Sequence, residues 1–96
     1  MIKTFVKKPV EVQAVQWTGQ NVNEILDFCG GNACVTGNDV VHDYTLTIFT
    51  LEGNHEAKIG DWIICGLVGE FYPCKPDVFE QTYREVLYFE EAKTNE

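Results

Sequence analysis

No apolar run in this chain approaches the roughly 20 residues that a membrane-crossing helix needs, and no charged-then-apolar start resembles a secretion signal. That combination is read as a cytoplasmic protein. Bases are scarce as well. Seven Lys and Arg against fifteen Asp and Glu leave a formal net charge of −8, which repels nucleic acid at long range and speaks against a general DNA- or RNA-binding role. Such a surface favours solubility or attraction to a basic protein. The four cysteines, Cys29, Cys34, Cys65 and Cys74, nowhere have C-x2-C spacing, and only His42 and His55 could complement them. No metal site and no cofactor is expected, and the thiols are read as free and buried. A glycine-rich phosphate loop is missing too, since Gly66 and Gly69 have hairpin spacing and Gly30-Gly31 ends a helix instead of opening one. Without internal repeats or low-complexity linkers, residues 1–96 read as one domain, with 1–8 and 90–96 loose.

What is present is a globular composition, 45% hydrophobic, in 96 residues. A chain of this size buries only a little over ~60% of its unfolded surface, so its stability is marginal and a homo-oligomer, most simply a two-fold dimer, is expected. The segment Ile59–Tyr83 organises the rest. Gly60-Asp61 is a turn before the apolar run Trp62-Ile63-Ile64-Cys65, and Gly66 and Gly69 fold Glu70-Phe71-Tyr72 back antiparallel on that run. Pro73 and Pro76 stop the second strand, and Asp77 with Glu80 has the form of a helix cap, giving a short helix Asp77–Tyr83.

Upstream, Val10, Val12 and Ala14 alternate with polar residues, and Val15 and Trp17 continue one residue out of phase. One strand holds both phases only through a bulge or with both faces partly buried. Asn21 is placed to cap a helix with Glu24 at its third position, and Val22, Ile25, Leu26 and Cys29 form an apolar stripe before Gly30-Gly31. Ala33-Cys34-Val35 and Val40-Val41 are expected to form a hairpin around Thr36-Gly37-Asn38-Asp39. Tyr44–Leu51 then makes a long strand, turning at Glu52-Gly53-Asn54 into His55–Ile59, and Val86–Phe89 a final strand. The sum is an α+β domain of six or seven strands and two short helices, with a curved, mostly antiparallel sheet or small open barrel.

Several blocks carry a resemblance: Lys8-Pro9-Val10 with Ala14-Val15-Gln16-Trp17-Thr18-Gly19, Thr50-Leu51-Glu52-Gly53, Gly60-Asp61-Trp62-Ile63-Ile64, Gly69-Glu70-Phe71-Tyr72-Pro73-Cys74-Lys75-Pro76-Asp77, and Phe79-Glu80-Gln81-Thr82-Tyr83. Together, over Lys7 to Tyr83, they resemble a family of short proteins encoded by bacteriophages and prophages, chiefly of Gram-positive hosts. The resemblance transfers no catalytic motif. It implies a phage accessory product, and such genes often encode proteins that counter host defence.

No nucleophile and base are placed to work together. His42-Asp43 and His55-Glu56 are neighbours whose side chains diverge on a strand, and Cys74 beside Lys75 has no assigned base. The protein is therefore read as not an enzyme. Aromatic and cationic residues near element ends remain: Trp17, Trp62, Tyr72, Lys75, Tyr83 and Arg84. Rings that stack on a base and cations that meet phosphate suit sequestration of a small nucleotide immune signal, although each ring also suits a core. The alternative is an acidic inhibitor that docks on a basic host defence protein.

Overall fold

The computed structural model describes residues 1–41 and 43–87. Six strands and two α-helices follow in order: β1 (Gln13–Gln16), α1 (Val22–Cys29), β2 (Ala33–Asn38), β3 (Asp43–Thr50), β4 (Gly53–Ala57), β5 (Trp62–Cys65), β6 (Phe71–Cys74) and α2 (Pro76–Thr82). The fold is α+β. Its strands form two separate three-stranded antiparallel sheets, β1-β5-β6 and β2-β3-β4, and close no barrel.

The out-of-phase apolar residues of the first strand resolve without a bulge. β1 pairs β5 continuously, Gln13 with Cys65 through Gln16 with Trp62, and Trp17 extends the pairing by donating to the Asp61 carbonyl (2.8 Å) and accepting from Gly60 (2.7 Å). Side chains alternate across a strand. Val15 therefore lies opposite Ile63 on one face, with Ala14 opposite Ile64 on the other. Both faces are covered, because Ile63 and Ile64 are each buried. Val10 and Val12 precede the strand and carry no regular structure.

The expected first hairpin is corrected. β2 runs on through Gly37 to Asn38 and pairs with β3 from Asp43 onward, so Val40 and Val41 sit exposed in the loop instead of forming a strand. β3 then turns at Leu51-Glu52, since Thr50 pairs with Gly53, one residue earlier than Glu52-Gly53-Asn54. The Thr50 hydroxyl fixes this turn, donating to the Gly53 carbonyl (2.7 Å) and accepting from the Glu52 N–H (3.1 Å). β4 ends at Ala57, short of Ile59. Two further expectations shift. Pro73 lies within β6, opposite Ile63, which is tolerated because β6 is an edge strand and the missing N–H breaks no ladder on its outer side. Lys75, not Asp77, occupies the N-cap position of α2, without a side-chain capping bond, and Pro76 follows in the first turn where its fixed φ fits. In the expected strand Val86–Phe89, Val86 and Leu87 have no regular structure, and Tyr88, Phe89, the tail from Glu90 and His42 lie outside the described residues.

The core fills the space between the two sheets, where Leu46, Ile48 and Ala57 meet Ile63 and Phe71. Helix α1 closes one side with Ile25 and Cys29, and Phe28 meets Phe71 edge to face at 5.4 Å. Trp17, 1% exposed, packs in the middle of this cluster. Removing a buried aromatic of this kind costs roughly 3–5 kcal/mol, so Trp17 belongs to the stability of the molecule.

Candidate functional site

On the face of the β1-β5-β6 sheet away from this core, register places Trp62, Ile64, Tyr72 and Cys74 together, and Phe79 of α2 packs on Trp62. The Trp62 ring lies on Phe79 at 4.4 Å with 9° between planes, and Phe79 meets Tyr83 at 5.0 Å. Tyr72 joins through the neighbouring Tyr83 hydroxyl. Burial first, and then that hydroxyl, push the Tyr72 phenol up to about 12. It is a hydrogen-bond donor at neutral pH. The indole Nε1 of Trp62 is buried and has no hydrogen-bond partner among the described residues.

Five of the six residues singled out from sequence thus belong to one region. Trp62, Tyr72 and Tyr83 contribute rings, Lys75 begins α2, and Arg84 follows its end, both exposed. Trp17 does not join them, because its ring is in the core on the other side of the sheet. Phe79 was not singled out, although it stacks between Trp62 and Tyr83; its place in a two-turn helix, one turn before Tyr83, was the available signal. The region is anionic around its thiol. Burial, then Asp61 and Asp77, raise the Cys74 thiol above its usual range, opposite to what an adjacent lysine would do.

A second feature is a cleft of about 380 Å³ between the β3–β4 turn and the start of β6. Thr50, Leu51 and Glu52 form one wall with His55, and Glu70, Phe71, Tyr72 and Pro73 form the other. The blocks Thr50–Gly53 and Gly69–Asp77 meet here although fifteen residues separate them in sequence. Phe71, 8% exposed, gives an apolar floor, and Glu52 and Glu70 supply carboxylates with no lysine or arginine in the lining. Glu70 is held in place, one carboxylate oxygen accepting from the Val68 N–H (3.1 Å) while the group packs over Gly66, where any side chain would collide with it. His55 shares a sheet face with Ile48, its partner across β3 and β4, and is exposed at the edge of that face. The cleft escaped sequence reading because its walls come from different sheets.

No group of three or more His, Cys, Asp or Glu side chains among the described residues is arranged to hold a metal ion. No known family, curated protein or solved structure matches the chain.

Proposed function

We propose that this chain is a non-catalytic binding protein whose acidic, apolar-floored cleft takes a basic segment of a partner protein. Set beside the resemblance to phage accessory proteins, that describes an acidic inhibitor of a basic host defence protein. The observation that carries the reading is the lining of the cleft: two carboxylates, a histidine and a tyrosine around a buried phenylalanine, with no cation among them. A lysine or arginine flanked by an apolar residue is the chemistry these groups complement, the carboxylates through charge-assisted hydrogen bonds and Phe71 through apolar contact. The net charge of −8 steers a basic partner toward the surface at long range.

A nucleotide-sequestering protein is the second reading, favoured by the gathering of Trp62, Tyr72 and Tyr83 between Lys75 and Arg84. It ranks below the first because Phe79 stacks on Trp62 and packs against Tyr83, occupying a face of the indole, and because Asp61 and Asp77 stand beside Cys74. No turnover is proposed in either case.

One titration separates the two. A fluorescent peptide of alternating lysine and aromatic residues is expected to bind the wild type, and Glu52→Gln with Glu70→Gln to weaken it about 10- to 100-fold, as loss of charge-assisted hydrogen bonds does. A panel of cyclic dinucleotides and ADP-ribose is run alongside. Tight nucleotide binding that is lost in Lys75→Ala or Arg84→Ala, with no peptide binding, overturns the first reading in favour of the second.

A further inference from the structure

Residues 1–10 contain Lys3, Lys7 and Lys8 and no acid, while the remaining four bases share residues 11–96 with all fifteen acids. The same arm carries Ile2, Phe5 and Val6, which are 98%, 85% and 87% exposed, so it leaves its apolar side chains off its own body. A basic segment with interleaved apolar residues is the kind of occupant that the cleft of Glu52, Glu70 and Phe71 complements. We propose that the arm of one copy docks in the cleft of a second copy, and reciprocally, to form a two-fold arm-exchanged dimer. In it Phe5 or Val6 covers Phe71, and Lys7 and Lys8 meet Glu52 and Glu70.

Reach and topology permit this. An extended arm of twelve residues ahead of β1 spans roughly 40 Å, comparable to the long dimensions of the molecule, 52 and 46 Å. Both strands beside the cleft, β4 and β6, are sheet edges that pair with a strand on one side only among the described residues, and although the two pack near each other they are not hydrogen-bonded, which leaves backbone groups to receive an extended segment. An isologous exchange uses each arm and each cleft once and then closes, so it yields dimers instead of filaments. The inference rests on the cleft being an acceptor of basic segments. It adds that the chain carries its own occupant, which any external partner must displace.

Charge exchange tests it in the full chain. Wild-type protein is expected to sediment at twice the 10.9 kDa chain mass at micromolar concentration. The arm variant Lys7→Glu with Lys8→Glu and the cleft variant Glu52→Lys with Glu70→Lys are each expected to sediment as monomers, and an equimolar mixture to regain the dimer. The arm lies outside the core, so the first variant keeps its fold. If replacing Glu70 disturbs its turn, Glu52→Lys alone, in an exposed turn, is expected to raise the dimer dissociation constant at least fivefold. A monomeric wild type, or a dimer that survives both reversals, overturns the exchange. The labelled basic peptide, titrated into the monomeric arm variant, reports on the cleft separately. Binding there alongside a monomeric wild type removes the exchange and leaves the acceptor reading standing.

Discussion

Asn21 makes four side-chain hydrogen bonds: its Oδ1 accepts from the Thr18 N–H and hydroxyl (2.9 and 3.0 Å), and its Nδ2 donates to the Gln16 carbonyl and to Glu24 Oε1 (both 2.8 Å). Sequence places it correctly at the start of α1, but its side chain makes no capping bond to the helix backbone. It ties the end of β1 to the helix instead. The distinction is testable, because aspartate is as good a cap as asparagine. Asn21→Asp would be nearly neutral for a simple cap. Here it removes both donors and sets a carboxylate beside Glu24, so a loss of about 1–2 kcal/mol is expected in denaturant unfolding. The thiols, all expected to be buried, divide instead: only Cys29 is buried, Cys65 and Cys74 are half-buried, and Cys34 is exposed. Cys29 is buried, and its thiol is pushed from 9.0 up to about 11 by burial first and by the nearby Cys65 second. Its folded-state value lies above its unfolded one, so the stability it contributes is complete below pH 9 and is lost as pH rises toward 11. Iodoacetamide at pH 8 is expected to label exposed Cys34 and spare Cys29, read by mass spectrometry, until the chain is unfolded.

At the scale of elements, sequence reading succeeded where pattern is local and failed where pairing decides. The stripe Val22, Ile25, Leu26 and Cys29 together with Gly30 sets α1, and the apolar run with its glycine turn sets β5 and β6. The first hairpin was misplaced because Val40-Val41 have high β-propensity, whereas the register that wins puts Val35 opposite Leu46 and Ala33 opposite Ile48. Burying those pairs outweighs local preference, and Gly37 accepts the close approach of the β3 backbone, where a Cβ would press on Asp43 and Tyr44. Helix α2 was anticipated, but its role as an aromatic lid was not, since the Trp62–Phe79 stack joins residues 17 apart through a turn that no periodicity shows. With seven residues α2 has little stability of its own and depends on that stack. Phe79→Ala is expected to release α2 and shift Trp62 fluorescence to longer wavelength, with a loss of about 3–5 kcal/mol at most. The core cluster around Trp17 stays intact, because it lies on the opposite face of the sheet.

The whole molecule sets two electrostatic effects against each other, and salt separates them. A body holding all fifteen acids repels itself, which opposes compaction. Raising the ionic strength from 0.01 to 0.15 M shortens the screening length from about 30 Å to about 8 Å. Repulsion among carboxylates spread over a molecule tens of ångströms across is then largely removed. The surface ion pair of Lys58 with Glu56 at 3.2 Å is exposed and offers little that salt could weaken in exchange. Thermal stability of the monomeric arm variant is therefore expected to rise with salt over this range. Attraction between a basic segment and the cleft carries the opposite sign, because Glu52 and the incoming lysines are solvent-exposed and are screened in the same way. Affinity for the basic peptide is expected to fall as stability rises. Calorimetric melting and peptide anisotropy on the same samples measure the two slopes. If both rise together, the cleft binds chiefly through its apolar floor at Phe71 and the carboxylates do not select the partner.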